Sequence, residues 1–526
     1  FISIIGVYTY QDYGVGIEEH FQRKSGFYWL NYLLSYTDFE ILKKTAFIKL
    51  EEIKLFSPGL FPIEEFGFYG VLFDVPMAFI ETFFQINMPI DYFYLRHISI
   101  FFIFLLSSFC FYKIIESRFQ NTNLALVGFI FYTFSPRIYG NIFFDNKDIF
   151  FLSIFTINIF FYLKYLKEKK HLNLIFFASL CALSTSSRII GLLIPISFLI
   201  LIIFECLNSK NLKKEIVKLI IFFITFITIL IIHWPYLWTL NLTHISNFFQ
   251  PFFYAMNPWV FFNGEFYQSK YLPYSYIPVW IVITTPFYIL LFFILGFYRH
   301  TKRIFIRFLN IKEKSINDYD IWRSSNEKFD FFLFINFLLV ILLYTAINPA
   351  LLSGWRHFYF LNFFIIFYSC YFMNVIFNNQ KKKIIISILI FLTLFTIYEN
   401  YKYHPFQSVY FNNFISNKFK KNFEIDTQSL SRVHAVKELL KEEGILNIAT
   451  ASWTPLENAR SLIPSGEWER LNFVGTEYDQ ANFIYSNFYY EVNINYNKKY
   501  EIPENFSLYK TFMIDGTRIY SIYKKL

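Results

Sequence analysis

The sequence predicts a polytopic α-helical membrane protein of about 11 spans with a C-terminal soluble mixed α/β domain, and three observations carry that prediction. The 526 residues are 55% hydrophobic, 23% aromatic and only 17% charged, too apolar for a soluble globule. Apolar runs of membrane-crossing length recur between residues 97 and 399. From Tyr401 onward the composition turns polar, which divides a membrane domain, 1–400, from a soluble domain, 401–526.

In chain order, the opening run "FISIIGVYTY" is shorter than the roughly 20 residues a crossing needs and reads as the remainder of a truncated first span. Further runs lie near 97–115, 124–140, 149–163, 172–187, 189–206, 216–233, 277–297, 330–348, 356–377 and 384–399. The loops "KYLKEKKH", "NSKNLKKEIVK", "RHTKRIFIRFLNIKEK" and "NNQKKK" are basic and alternate with loops poor in lysine, so the positive-inside bias sets those four on the cytoplasmic side. The formal net charge of +9 is then accounted for at the lipid surface, and no nucleic-acid partner is implied.

The segment 11–96 falls on the outer side. Within it "IEEHFQRKSGFYWLNYLL" and "YGVLFDVPMAFIETFFQI" have apolar residues at helical spacing, which predicts juxtamembrane helices, separated by a turn at Pro58, Gly59 and Pro62. In the soluble domain, Ser429 or Ser431 is positioned to cap a helix through "RVHAVKELLKEE" that Gly444 ends. "ILNIATAS" reads as a strand, and "YKTFMIDGTRIYSIYK" as a hairpin turning on Asp515-Gly516. Cys110, Cys181, Cys206 and Cys370 are scattered through apolar runs, where they act as small hydrophobes, so neither disulfides nor a zinc motif is expected.

Charges interrupt this apolar chain at particular span ends. "SPRIYGNIFFDNKDIF" carries Arg137, Asp145, Lys147 and Asp148; "STSSRIIG" carries Arg188, and "SGWRHFYF" carries Arg356 and His357. A single Arg or Lys near a helix end commonly snorkels to the headgroups. Arg137, Lys147, Asp148, Arg188 and Arg356 all on the outer side instead favour one outward-facing cavity, whereas Asp145 reads as loop solvation. The outer loop 234–276 contributes Trp234, Tyr236, Trp238, Trp259, Tyr267 and Tyr274, either as interface anchors or as a wall for a sugar or prenyl chain, and it holds Glu265 in "NGEFY".

With these segments in view, the chain resembles the polyprenyl-phosphate-dependent glycosyltransferases of the GT-C superfamily, in particular the protein-mannosyltransferase-like enzymes of glycosyltransferase family 39. The resemblance runs through "YGVGIEEHFQRKSG", "SPRIYGNIFFDNKDIFFL", "STSSRIIGLLIP", "HWPYLW", "GEFYQSKYLPYSYIPVWIVITTP", "GWRHFYF" and "HPFQSVYFN". It implies a catalytic base in the acidic pair of the first outer loop, here Glu18-Glu19, although the family has Asp where this chain has Glu18. Glu18 is the favoured base, with Glu19 and Asp12 as alternatives. The resemblance further implies that Asp148 belongs to the active site and that Lys147 and Arg137 hold a lipid phosphate. Arg188, Arg356 and His357 are candidates by the same reasoning, and the resemblance makes Glu265 a further candidate.

The expected activity is inverting transfer of a sugar from a polyprenyl-phosphate donor to an acceptor, whether protein, lipid or polysaccharide, on the periplasmic face of a bacterial inner membrane. A divalent metal ion on Glu18, Glu19 and Asp148 is an optional cofactor. A transporter or lipid flippase is the alternative class, but charges cluster at span ends rather than at the midplane and no internal repeat is evident. A catalytically silent envelope scaffold is a third reading. No Walker A loop is present to bind ATP.

Overall fold

A computed structural model describes residues 2–56, 70–208, 212–239, 257–309, 322, 324–377 and 382–526. The expected turn at Pro58, Gly59 and Pro62, and parts of three of the basic loops, lie outside the described residues.

The described part of the membrane domain is mostly helical. Six of the described helices are long and apolar enough to cross a bilayer: Pro89–Phe119, Asp148–Glu168, Ile189–Cys206, Leu212–His233, Ser325–Ile347 and Lys383–Tyr403. Shorter apolar helices, Thr122–Thr133, His171–Ser187 and Leu361–Phe377, accompany these six, so single long helices do not by themselves make up the expected eleven or so spans, and proline explains part of the difference. The apolar run 124–140 is broken into Thr122–Thr133 and the single turn Pro136–Tyr139, because Pro136 keeps Ser135 out of the helical conformation. Pro286 likewise divides the run 277–297 into Tyr276–Thr284 and Phe287–Leu309, with Thr285 extended between them. His171–Ser187 and Leu361–Phe377 are apolar but have 17 residues each, short of the roughly 20 that span a hydrocarbon core.

Close packing and paired charges hold the bundle. Phe287–Leu309 approaches Leu361–Phe377 where Gly296 lies against the Tyr368 carbonyl; a Cβ there would come within 1.8 Å of that oxygen. Asp330 is buried, yet it accepts from Arg118 Nε at 2.7 Å and from Arg303 Nη2 at 2.9 Å, which joins three helices at the end bearing the basic loops.

At the end away from the basic loops, the expected juxtamembrane helices form over Glu19–Leu34 and Asp74–Phe83, with a further helix at Glu40–Phe56. A buried network fastens them to the first long span. Arg23 Nε donates to Glu81 Oε2 at 2.9 Å, Arg96 pairs with Asp74, and the Arg23 guanidinium lies 3.6 Å over the Tyr92 ring.

The last long helix runs to Tyr403, and the soluble domain follows as a five-stranded mixed sheet. Numbering strands along the chain, β1 (Trp259–Phe262) and β2 (Glu265–Gln268) form a hairpin in the outer loop. The sheet comprises β3 (Leu446–Thr450), β4 (Leu471–Phe473), β5 (Phe483–Ser486), β6 (Phe506–Ile514) and β7 (Thr517–Lys525), in the order β4-β3-β5-β7-β6. Strand β3 is parallel to both neighbours and β7 antiparallel to both of its own. The helix Ser431–Leu439 is capped differently from expectation: Ser429 and Ser431 do not cap it. The Asp426 carboxylate instead accepts from the N–H groups of Leu430 and Ser431, and the helix ends at Leu439, before Gly444. The β6–β7 hairpin turns on Asp515 and Gly516, both at positive φ.

That turn also docks the domain. Asp515 accepts from Lys402 Nζ at 2.6 Å and from the Tyr403 hydroxyl at 2.8 Å, at the end of the last long helix. Burial pushes its carboxyl up, but these bonds and the Lys420 charge outweigh burial and hold it at about 2. Asp515→Asn keeps the turn and removes the charge, so a loss of about 1.5–3 kcal/mol and a lower Tm in detergent are expected. In the wild type that contribution is present above an unfolded-state pKa near 3.9 and fades as pH falls through about 2. An unchanged Tm for the variant would contradict the docking role.

Candidate active site

Three segments converge: the loop leading into Glu19–Leu34, the loop 135–148, and the turn 353–357. Glu18 immediately precedes the first helix. Its Oε1 takes the Arg356 Nη2 donor, and its Oε2 accepts from Gln22 Nε2 at 3.3 Å. Glu19 points elsewhere: its Oε1 accepts from the Gly16 N–H at 2.6 Å, and its carboxylate faces His97 Nε2 at 3.1 Å. Asp12 pairs with His404 at 2.9 Å on a more exposed surface. Of the three acids considered as the base, Glu18 is the one whose carboxylate meets the cation Arg356.

In the second loop, Asp145 is not loop solvation. It is buried, and its Oδ1 accepts from the N–H groups of Lys147, at 3.3 Å, and Asp148, at 2.7 Å. It thereby fixes the start of the helix Asp148–Glu168 and the exits of both side chains. Asp148 pairs with Arg188, which sits in an extended stretch between His171–Ser187 and the turn Ile189–Leu192. Arg137 is buried with its guanidinium 4.7 Å from the centre of the Trp280 ring.

The third segment is wound tightly. Ser353 and Gly354 both have positive φ, 60° and 69°. The Gly354 N–H donates to the Tyr276 hydroxyl at 3.0 Å, and a Cβ on Gly354 would come within 3.1 Å of Arg137 Nη2. Trp355 Nε1 donates to Thr284 Oγ1 at 2.9 Å. Arg356 emerges from these anchors, buried and aimed at Glu18.

The electrostatics follow from this convergence. Burial would raise the Glu18 carboxyl, but Arg356, Lys147 and Arg188 outweigh it and hold the group well below the usual carboxylate range. Burial and the Arg188 charge lower Lys147 to about 8, against the opposing pull of Glu18 and Asp148. Burial, then Arg356 and Arg188, push His357 well below its ordinary value, so its imidazole is neutral and does not act as a cation. Burial and the Asp148 charge raise Asp145.

Glu265 stands apart. It is exposed on β2, and its Oε2 accepts from the Tyr267 hydroxyl at 2.6 Å. The loop aromatics divide: Tyr236 and Trp238 pack on Trp29 and Tyr32 of the first juxtamembrane helix and on Tyr36 just past its end, and Tyr274 packs edge-on to Tyr344. The sequence reading missed Asp74. It is buried and accepts from Asn146 Nδ2 at 3.0 Å as well as from Arg96, and burial raises its carboxyl to about 6 despite Arg96. Asp74, Asn146 and Lys147 line a cleft with Gln22, Ser25 and Ser187 over the aromatic rings of Phe21, Phe73 and Phe150. The acid within "LFDVP" and the Arg-His pair within "YLRHIS" were its sequence signals.

A divalent ion on Glu18, Glu19 and Asp148 does not fit this arrangement, because each carboxylate turns to a different partner. Among the described residues, no three His, Cys, Asp or Glu side chains are grouped to hold a metal.

Residues 75–234 match the family model for dolichyl-phosphate-mannose-protein mannosyltransferase, the group that the sequence motifs resemble. The matched segment contains Arg137, Lys147, Asp148 and Arg188; Glu18 and Arg356 lie outside it. No curated protein sequence matches the chain. Among solved structures, the crystal structure of ArnT from Cupriavidus metallidurans bound to undecaprenyl phosphate is similar to it. The two are 9% identical with a TM-score of 0.40, over 86% of this chain and 88% of that one, a likeness too loose to bear on residue roles.

Proposed function

We propose that this protein is an integral-membrane inverting glycosyltransferase. It moves a sugar, of the hexose class, from a polyprenyl-phosphate donor to an acceptor on the periplasmic face of a bacterial inner membrane. The observation that carries this reading is the gathering of Lys147, Arg188 and Arg356 around Glu18 and Asp148. Asp145, the third carboxyl of the cluster, is pushed up to about 7 by burial and the Asp148 charge, so it offsets the three cations only in part; the positive charge left over suits a lipid phosphate, and the Glu18 carboxylate sits among them to take a proton. The family match over residues 75–234 supports the same reading.

The donor enters sideways from the bilayer. Its phosphate engages Lys147, Arg188 and Arg356, whose guanidinium forks suit phosphate oxygens. Arg137 supports this group from behind, and the sugar lies in the cleft beside Gln22, Asp74 and Asn146. As the phosphate takes a share of Arg356, the hold on Glu18 weakens and its carboxylate becomes more basic. An acceptor hydroxyl gives its proton to Glu18 while its oxygen attacks the anomeric carbon. The bond from that carbon to the phosphate oxygen breaks on the opposite face, and its electron pair leaves with the lipid phosphate. The cations stabilise the charge that grows on the departing phosphate, so they favour the transition state over the ground state.

Glu18→Gln keeps shape and hydrogen bonding but removes the base. Transfer should fall about 10²- to 10⁴-fold while donor binding persists, measured by turnover and by lipid binding to the purified variant. Full activity in that variant, with loss in Glu19→Gln or Asp12→Asn, would move the base to another acid.

The Lys147 ammonium binds phosphate only when protonated, so kcat/KM for the donor should decline as pH rises through about 8. Lys147→Arg should carry the plateau to higher pH. Identical alkaline limbs would exclude Lys147 from the phosphate site.

Sidedness is tested by cysteines introduced at the exposed positions Lys169 and Tyr496, against native cysteines of which Cys110, Cys181 and Cys370 are buried. In intact spheroplasts a membrane-impermeant thiol reagent should label position 496 and spare 169; the reverse pattern would contradict the orientation.

A further inference from the structure

The soluble domain touches two of the segments that meet at Glu18. On the Glu18 side, Arg432 is almost wholly buried, and its Nη2 donates to the Val15 carbonyl at 2.9 Å. Its Nε and Nη1 donate to the carbonyls of Ser429 and Pro455 at 2.9 and 2.8 Å, so the guanidinium is braced within its own domain. Next to Val15, Gly14 lies so close to the Leu430 carbonyl that a Cβ would come within 2.4 Å of its oxygen. Tyr13 donates to Gln407 Oε1 at 3.0 Å. The chain from 13 to 15 is therefore laid against residues 407–432, three residues ahead of Glu18.

On the Arg356 side, the Tyr489 hydroxyl lies 3.2 Å from Ser353 Oγ, and both groups are buried. Ser353 is a non-glycine residue at positive φ, a conformation that costs of order 1–3 kcal/mol and persists only where neighbours hold it. Tyr489 is itself fixed: its carbonyl accepts from the Trp453 N–H at 2.8 Å and from Ser452 Oγ at 3.2 Å. Membrane-domain groups alone hold the next two residues, Gly354 and Trp355. Ser353 is thus the point where the soluble domain bears on the Arg356 turn.

We propose that the soluble domain is a working part of the transfer site: Tyr489, through Ser353, and Arg432, through Val15, are positioning residues that set the Arg356 guanidinium against the Glu18 carboxylate. The inference rests on the functional reading above. A displacement of about 1 Å between reacting groups can cost about a hundredfold in rate. Anchors on the backbone beside each partner therefore govern turnover without touching substrate, and donor affinity, set by the cations and the cleft, depends on them less.

The test compares Tyr489→Phe, Ser353→Ala and the double variant with the wild type, in purified full-length protein with a polyprenyl-phosphate sugar as donor. Each single variant should lose about ten- to a hundredfold in kcat with donor KM within about twofold. The acid limb of kcat should move to higher pH, because a loosened Arg356 no longer holds Glu18 so far below the carboxylate range. The double variant should be no worse than either single one, since both remove the same bond. Arg432→Lys, which keeps the charge and one donor, should lose less than Arg432→Met. Wild-type kcat and acid limb in Tyr489→Phe, or losses that simply multiply in the double variant, would overturn the positioning role. Equal losses of donor affinity, thermal stability and kcat would do so too. A wild-type protein that turns over no polyprenyl-phosphate sugar would sink the functional reading first and this role with it, whereas an active wild type with unaffected variants would sink only the latter.

Discussion

The carboxylate of Glu18 and the guanidinium of Arg356 belong to segments more than three hundred residues apart, and their meeting is the constraint around which the outer face is organised. Arg356 is buried and Glu18 half-buried, so each charge depends on the other for compensation. Paired, they require the first outer loop and the turn before Leu361–Phe377 to face each other. Arg188, paired with Asp148, and Lys147, which feels both Glu18 and Asp148, enter the same field from two further segments. On the proposed reading, cations gathered in this way beside a bilayer serve to receive an anion.

A second tier of paired charges makes the first possible. Arg23, Glu81, Arg96 and Asp74 tie the juxtamembrane helices Glu19–Leu34 and Asp74–Phe83 to the first long span. Asn146 connects that tier to the loop carrying Lys147 and Asp148 through its bond to Asp74. Breaking a buried pair costs more than the pair contributes, because it strands the remaining charge. The helix that starts beside Glu18 is therefore held by the same network that lines the cleft. Positioning of the site and folding of the outer segment are one problem in this chain.

Much of this was legible in the sequence where the signal is local. Asp515-Gly516 needs only two residues to declare a hairpin, and charges breaking apolar runs singled out Arg137, Lys147, Asp148, Arg188 and Arg356. Adjacent residues at a helix start point roughly 100° apart, so which of Glu18 and Glu19 faces the cations was a matter of tertiary structure. Asp145 capping a helix and Asp145 solvating a loop have the same sequence. Arg23, Glu81 and Asp74 lie on amphipathic helices, where acids and bases ordinarily face water; only the fold turns them inward. Helix length within an apolar run was not legible either, because a proline leaves the hydropathy of the run intact while ending the helix. The contacts of Val15 with Arg432 and of Ser353 with Tyr489 join distant segments, and no periodicity announces them.

The central claim is that the cation cluster holds the phosphate of a polyprenyl-linked sugar beside Glu18. Native mass spectrometry of the protein released from mild detergent tests it most directly, with Glu18→Gln and a Lys147→Ala/Arg188→Ala double variant beside the wild type. The account predicts a bound species with the mass of a polyprenyl phosphate, extended by a sugar, that Glu18→Gln retains or enriches and the double variant loses. Equal retention of that lipid by the double variant, or capture only of lipids that lack a phosphate monoester or diester on a prenyl chain, would contradict it.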